Sequence, residues 1–144
     1  MEKNVMRKEL EQKLFETYPK IFSGKDKSIM ESLIPFGFEC GDGWYTLIYE
    51  LCKQLQFNTD HNNRPEQGNT GRYPQVEAVQ VKEKWGGLCF YTNGTTDIQQ
   101  GAIDFAEQMS YHICEKCGST DDVQQTKGWV QSLCVKCRTE KENK

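Results

Sequence analysis

The sequence lacks any long apolar segment and any signal that would direct the chain to a membrane. No stretch of its 144 residues is long and apolar enough to cross a bilayer. Residues 1–5 include Glu2 and Lys3 and have no apolar core of the kind that a secretory signal requires. We therefore expect no membrane partner and a cytoplasmic location, where thiols stay reduced.

A large excess of positive or negative charge is also absent from the sequence. The chain carries 18 basic and 21 acidic side chains, for a net charge of -3, with no long run of either sign. A protein that mainly coats nucleic acid needs a local excess of lysine and arginine. The composition argues against that role, although a local basic face remains open. Its candidate residues are Lys82, Lys84, Lys116, Lys127, Lys136 and Arg138.

Recognisable catalytic motifs are absent as well. The glycines in 41–43 and 68–71 are not followed by the lysine and hydroxyl residue of a phosphate-binding loop, and we interpret both segments as turns. With His61 and His112 as the two histidines, neither a Cys/His nucleophilic pair nor a hydrolytic carboxylate pair can be assembled from the sequence. We lean towards a protein without enzymatic activity and keep an enzyme among the alternatives.

The sequence does contain two close pairs of cysteines near its C-terminal end. Cys114 and Cys117 form one CxxC pair, Cys134 and Cys137 form the second, and sixteen residues separate the pairs. This spacing is typical of a structural zinc site, because each turn can point two thiolates at one tetrahedral ion. Four thiolates leave no coordination position for a water to activate. We predict one structural zinc ion bound by these four residues.

Hydrophobic periodicity predicts three helices ahead of the cysteine pairs. Asp42 can cap the second of them, and Thr96 and Gln99 form a capping box for the third. The three helices are expected over about 5–18, 44–55 and 98–113, a short extra helix over 27–33, and a helical tail over 138–143. The third helix is expected to bury the face formed by Ile98, Ala102, Phe105, Met109 and Ile113.

A β-hairpin is predicted between the second and third helices. Residues 75–84 form its first strand and 88–92 its second. The glycine pair in 85–88 suits a type I′ or II′ turn, with Trp85 paired to Leu88. This pairing places Glu83 on an otherwise apolar face. The other face then carries Lys82, Lys84, Cys89 and Tyr91. A short strand is also expected over 129–133.

Three features leave alternatives open. Residues 58–74 are polar, contain Arg64 and Arg72, and are either a solvated loop or a loop that binds a partner or ligand. Glu83 is either satisfied by an ion pair or a backbone N–H, or it serves as a general base or ligand contact. Four aromatic residues are either core residues or, where exposed, a platform for a base or a protein partner: Trp85, Phe90, Tyr91 and Trp129.

These elements predict an α+β fold. The β-hairpin and about three helices would share one core domain over residues 1–112. A zinc ribbon or treble-clef module would follow over residues 113–144, and its metal would contribute folding energy.

Three segments of the chain also carry a resemblance. They are Gly43-Trp44-Tyr45 with Leu51-Cys52, the stretch from Val81 to Tyr91 that contains Lys-Glu-Lys-Trp-Gly-Gly-Leu, and Cys114 to Gly118 with Gly128-Trp129 and Leu133-Cys134. In this order they resemble a group of small uncharacterised zinc-binding proteins encoded by bacteriophages and prophages, across roughly residues 40–138. In that group the position of Cys89 is more often basic. The resemblance implies a phage or prophage origin and a host-cell cytoplasm, and it brings no activity with it.

Three functions remain under consideration. The leading one is a non-enzymatic protein that binds and modulates a bacterial host protein, such as a component of the defence or transcription machinery. The second is nucleic-acid binding through the zinc module together with Lys82 and Lys84. The third is a small-molecule or nucleotide-signal binder, or an enzyme, with a pocket at the hairpin that uses Glu83, Arg64 and Arg72.

Overall fold

The structure, a computed structural model, describes residues 5–67 and 72–143. Across these residues it contains four α-helices, a three-stranded sheet and a two-stranded hairpin, so the predicted α+β fold is confirmed. The elements in chain order are α1 (Lys8–Thr17), β1 (Phe38–Glu39), α2 (Tyr45–Asn62), β2 (Glu77–Lys84), β3 (Gly87–Asn93), α3 (Asp97–Ser110), β4 (Gln124–Gln125), β5 (Ser132–Leu133) and α4 (Val135–Glu142). None of the described helices is long and apolar enough to cross a membrane.

The larger sheet has the order β1-β2-β3. β1 runs parallel to β2, as expected for strands joined through a helix, and β2 runs antiparallel to β3. Val81 in β2 pairs with Phe38 on one side and Phe90 on the other, and all three side chains are buried. Together with the helices these strands enclose one hydrophobic core. Its largest fully buried members are Leu14, Ile21, Phe22, Ile34, Phe38, Trp44, Ile48, Leu55, Val76, Val81 and Ile103.

The hairpin forms where predicted, but its register differs by two residues. Lys84 pairs with Gly87 and Glu83 with Leu88, so the turn consists of Trp85 and Gly86 alone. Both turn residues have positive φ, at 54° and 85°, which is the signature of a type I′ turn. A shift of two residues leaves Lys82, Glu83 and Lys84 on their predicted faces, whereas a bulge between Ala78 and Gln80 interrupts the alternation earlier in β2. What sequence reasoning missed is that the tryptophan, rather than a second glycine, occupies a left-handed position.

The apolar face predicted for α3 is only partly buried, since Ala102 and Ile113 pack against the core but Ile98 and Phe105 do not, and the predicted capping box is present. Ile98 and Phe105 are 76% and 68% exposed, whereas Gln99 and Ser110 are buried together with Ile103 and Ala106. The two polar side chains can be buried because both are hydrogen-bonded. The Gln99 amide donates to the carbonyl of Leu55 (3.2 Å) and to the hydroxyl of Thr59 (2.8 Å).

Side chains of α3 also cover the edge of β3. The Ser110 hydroxyl accepts the N–H of Leu88 (2.8 Å), and the Glu107 carboxylate accepts the N–H of Phe90 (2.8 Å). Burial raises the pKa of Glu107, and the Phe90 N–H partly offsets that rise. The helix therefore protects a strand edge that would otherwise be open to pairing with another chain.

The prediction of a short helix over residues 27–33 is wrong, because the structure has no α-helix there. One turn forms when the N–H of Ser32 donates to the carbonyl of Ser28 (3.0 Å). The next donor, the N–H of Leu33, bonds instead to the carbonyl of Val79 in β2 (2.8 Å). Because this donor serves the sheet, the turn cannot continue as a helix. The segment is flanked by 3₁₀ turns at Ser23–Asp26 and Ile34–Phe36.

Helix α2 is longer than predicted, and its start is capped differently. It continues to Asn62, so the first part of the predicted 58–74 loop is helical, while residues 68–71 of that loop lie outside the described residues. Asp42 does not cap this helix. Its carboxylate accepts the backbone N–H of Arg7 (2.8 Å) and pairs with the Arg7 guanidinium (2.7 Å), tying α2 to the start of α1.

Two elements near the C-terminal end are displaced from their predicted bounds. The strand expected over 129–133 is limited to Ser132–Leu133, which pairs with Gln124–Gln125. The predicted helical tail begins earlier than residue 138. It starts at Val135, immediately after Cys134.

The left-handed turn position predicts that Trp85→Asn stabilises the protein. A bulky residue at positive φ costs roughly 1 kcal/mol, whereas asparagine tolerates this conformation and is preferred in type I′ turns. We expect the free energy of unfolding in urea to rise by about 1 kcal/mol with an unchanged slope. Trp129→Asn is the matched control, because Trp129 is also exposed but is not among the residues with positive φ. A stability of Trp85→Asn at or below the wild-type value would contradict the prediction.

Candidate metal centre

Four thiols converge at the C-terminal end of the chain. The sulfurs of Cys114, Cys117, Cys134 and Cys137 all lie within 4.8 Å of one another, and those of Cys117 and Cys134 are 3.7 Å apart. A tetrahedral zinc ion with Zn–S bonds of about 2.3 Å would hold its sulfurs roughly 3.8 Å apart. The cluster is therefore positioned to bind one metal ion. Cys117 is exposed and the other three are buried.

Each pair of ligands comes from a distinct local structure. The first pair forms a tight turn that ends at Gly118, whose φ is 84° and whose N–H donates to the carbonyl of Cys114 (2.8 Å). In the second pair, Cys134 precedes α4 and Cys137 lies in its first turn. The β4–β5 hairpin separates the two pairs. The first cysteine turn, the β4–β5 hairpin and α4 follow one another in the order of a treble clef. The sequence predicted either this arrangement or a zinc ribbon.

The start of α4 favours the charged form of one thiol. Burial by itself would raise the pKa of Cys134. The backbone N–H of Cys137 and the neighbouring thiols of the cluster stabilise the Cys134 thiolate more strongly, and its pKa falls to about 7. A free N–H group in the first turn of a helix commonly stabilises a thiolate. The start of α4 therefore lowers the pKa of one of the four predicted ligands, while burial raises the pKa of Cys117 and Cys137.

The turn that contains the first cysteine pair packs against the residues that lead into α2. We call this contact, made by Gly41, Gly43 and Trp44, the first seat. The N–H of Gly43 donates to the carbonyl of Glu115 (2.7 Å), and the N–H of Gly41 donates to the buried Glu115 carboxylate (2.9 Å). The indole N–H of Trp44 donates to the carbonyl of Ile113 (2.9 Å). A Cβ at Gly43 would collide with the carbonyl of Cys114 and lie 2.6 Å from the Gly118 nitrogen. Glycine is required here because two backbones touch.

A second seat lies at the tip of the β2–β3 hairpin. The carbonyl of Gly86 accepts the hydroxyl of Ser132 (2.6 Å), and that hydroxyl also accepts the Gln125 amide (3.0 Å). Gly87 packs against the ring of Tyr111, so closely that a Cβ at this position would overlap the phenol. The module thus contacts both the helix start and the hairpin tip. The predicted boundary between a core domain ending at residue 112 and a metal module beginning at residue 113 remains a prediction.

The remaining predicted contact residues are distributed over different surfaces. Glu83 is half-buried and accepts the N–H of Gly86 (2.9 Å), which is the simpler of its two predicted roles. Lys84 and Tyr91 are exposed and Lys82 is half-buried on the outer face of the sheet. Arg64 and Arg72 are exposed, and neither lines the cleft beside Glu83, which is bordered instead by Trp85 and by Gly128, Trp129 and Val130.

Sequence reasoning missed the residues that hold the module in place. Gly41, Gly43, Glu115 and Ser132 all contribute to the two seats. The one signal in the sequence was the Gly-Asp-Gly-Trp run, which was interpreted as a turn. A buried glutamate inside a CxxC turn gives no signal of its own, because its partner is a backbone N–H 74 positions away.

Comparison with known proteins finds no family model, no curated protein and no solved structure that matches this chain. The cysteine cluster is the part of the phage-protein resemblance that the structure supports. The comparisons lend no support to a phage origin or to a family-specific hairpin.

The first seat predicts that Gly43→Ala destabilises the protein. The added methyl group must separate α2 from the cysteine turn, and overpacking of this kind costs about 2 kcal/mol or more. We expect a lower midpoint in urea unfolding and weaker metal retention in the presence of a chelator.

Gly101→Ala provides the matched control for this substitution. Gly101 lies in α3, and nothing stands within 4 Å of a Cβ at that position. Alanine should therefore stabilise the protein by roughly 0.5–1 kcal/mol. Equal stability of the two variants would show that the contact at Gly43 is unimportant.

Proposed function

We propose that the four cysteines bind one zinc ion whose role is structural. Support comes from the donor set, because four thiolates in a tetrahedral arrangement suit zinc and fill its coordination shell. Such an ion would hold β4, β5 and α4 together, a segment whose own apolar cluster is small. It would contribute to folding, and no position would be left on it for a substrate.

We further propose that the protein acts by binding another protein and has no enzymatic activity. The observation that carries this proposal is Trp85, which is 73% exposed at the hairpin tip and has a left-handed backbone conformation. Exposure and backbone strain both oppose stability, so neither is explained by folding. Exposed tryptophans are strongly enriched among the residues that dominate protein interfaces. Trp129, 43% exposed, borders the same cleft from the metal module.

We propose a bacterial host protein as the partner and the bacterial cytoplasm as the setting. The motivation is the resemblance of the cysteine pairs and the hairpin sequence to a group of uncharacterised phage-encoded proteins, together with the general tendency of small phage proteins to block or alter a host factor. Modulation of a defence or transcription component is one form that this activity would take.

Nucleic-acid binding is the second candidate, and one observation favours it. Lys82, Lys84 and Tyr91 share the outer face of the sheet, where basic and aromatic side chains together could hold a single strand. Against it stand the net charge of -3 and the half-buried position of Lys82. This candidate requires binding that weakens steeply as salt increases.

The metal proposal predicts one zinc ion per chain in native mass spectrometry. Cys117→Ser should lose the ion, because three thiolates bind zinc less tightly than four. Cys89→Ser should retain it, since Cys89 lies in β3 away from the cluster and serves as the matched control. Chelation of the wild type should increase amide hydrogen exchange over residues 113–142 more than in α2. Loss of zinc from both variants, or from neither, would refute the ligand assignment.

The binding proposal predicts that zinc-loaded protein retains a bacterial protein from lysate treated with nuclease. Trp85→Asn should abolish this retention, whereas Phe105→Ala should preserve it, because Phe105 is equally exposed but lies on α3 outside the cleft. Native mass spectrometry of the eluate identifies the partner and its stoichiometry. Retention of oligonucleotide alone, with a gel shift at low salt, would favour the second candidate instead.

A further inference from the structure

A cleft separates the hairpin tip from the metal module. Its volume is about 180 Å³, and it is lined by Glu83 and Trp85 on one side and by Gly128, Trp129 and Val130 on the other. The space has the size of one long side chain rather than of a folded element. Its two walls come from segments more than 40 positions apart in sequence, joined through the Gly86–Ser132 contact.

The backbone that carries each aromatic wall is held in place. The two-residue turn fixes the backbone of Trp85, whose φ is 54°. The carbonyl of Trp129 accepts the hydroxyl of Thr126 (2.8 Å) and the ammonium of Lys141 (3.2 Å). Lys141 lies in α4, so the helix that follows the second cysteine pair braces the loop that carries Trp129. The position of this wall depends on the metal module.

Glu83 supplies the only charged group among the residues that line the cleft. One oxygen of its carboxylate accepts the N–H of Gly86 (2.9 Å), which fixes the side chain. Within residues 5–67 and 72–143, no lysine, arginine or histidine forms an ion pair with it. A half-buried carboxylate that forms no ion pair with a described residue and lies next to two tryptophans favours a cationic ligand.

Resting on the proposed binding function, we infer that this cleft binds an arginine or lysine side chain of the partner protein. The electron-rich faces of Trp85 and Trp129 attract a cation, and the Glu83 carboxylate neutralises its charge. Partial removal from water strengthens both interactions. The cleft would then act as the anchor point of the interface, with one buried cationic residue inserted between the core and the metal module.

The same charges disfavour a nucleic-acid strand at this position. Glu83 would repel phosphate, and Lys82 and Lys84 alternate with it along β2 and lie on the opposite face of the sheet. Lys141 is already bonded to the 126–131 loop. Lys127 is the remaining cation of that loop and is exposed. Because it would repel a cationic ligand, Lys127→Gln should strengthen binding by about twofold at low salt.

The test is a titration of zinc-loaded protein with short capped peptides, followed by NMR of the indole N–H groups. The probes are acetyl-Gly-Arg-Gly-amide, its lysine equivalent, and the citrulline isostere, which has the shape of arginine without its charge. The arginine and lysine peptides should shift the indole signals of Trp85 and Trp129. Trp44 is fully buried and bonded to Ile113, so its signal is an internal control that should not move. The citrulline peptide should leave all three unchanged.

Two variants test the two parts of the site. Glu83→Gln keeps an oxygen for the Gly86 N–H but removes the charge, and Trp85→Asn keeps the turn but removes one wall. Each should weaken peptide binding about fivefold to thirtyfold, which corresponds to the loss of about 1–2 kcal/mol. Glu142→Gln and Phe105→Ala are the matched controls outside the cleft and should bind as the wild type does. Thermal unfolding of each variant separates loss of the site from loss of the fold.

Several outcomes would overturn the inference. Equal binding of the arginine and citrulline peptides, or wild-type binding by Glu83→Gln, would show that charge is not recognised. Shifts of Trp85 and Trp129 with a thymidine oligonucleotide but not with the arginine peptide would make the cleft a base-stacking site instead.

The inference and the proposed function can fail separately. If Trp85→Asn and Glu83→Gln both retain the lysate partner as the wild type does, the protein binds through another surface and the cleft assignment is wrong. If the arginine peptide binds as predicted but no bacterial protein is retained, the site stands and the proposed host-binding function is wrong.

Discussion

The close backbone contact between Gly43 and the first cysteine turn is the constraint on which the rest of the structure depends. The Gly43 N–H bonds to the Glu115 carbonyl (2.7 Å), and the space beside Gly43 is too small for any side chain. This contact fixes the cysteine turn against the start of α2, where Trp44 adds its own bond to Ile113. The module can then reach the hairpin tip through Ser132. Two polar backbone segments meet in the interior and satisfy each other there.

The proposed structural metal ion would acquire a functional meaning through this arrangement. Bound by the four thiols, it would hold a small segment that has little apolar core of its own. That segment carries Trp129 on a loop braced by α4, while Trp85 and Glu83 belong to the hairpin of the core. The surface proposed for binding therefore exists only where the module is folded and docked. Metal binding and partner binding would be coupled through geometry, without any chemistry at the ion itself.

The sequence predicts the local features of the fold and of the candidate site better than the long-range ones. The cysteine spacing, the Thr96–Gln99 capping box and the hairpin face are local patterns, and the structure contains all three. The buried face of α3 was unpredictable from hydrophobicity, because Gln99 and Ser110 are buried through bonds to groups in distant segments. The hairpin register depended on Trp85 adopting a conformation that tryptophan rarely adopts. The seat at Gly43 and the second wall of the cleft arise from pairs separated by about 40 to 75 positions, which periodicity cannot show.

The dependence of the cleft on the metal module is tested most directly by NMR. The measurement is the set of contacts between Gly86 and the Val130 methyl groups, with and without zinc. In the structure a Cβ at Gly86 would lie 3.1 Å from the Val130 methyl carbon, close enough for a strong nuclear Overhauser effect in the zinc-loaded protein. The dependence of the cleft on the metal module predicts that these contacts disappear on chelation, while contacts within the β2–β3 hairpin persist. Contacts between Gly86 and Val130 that survive without metal would show that the cleft forms independently of the ion.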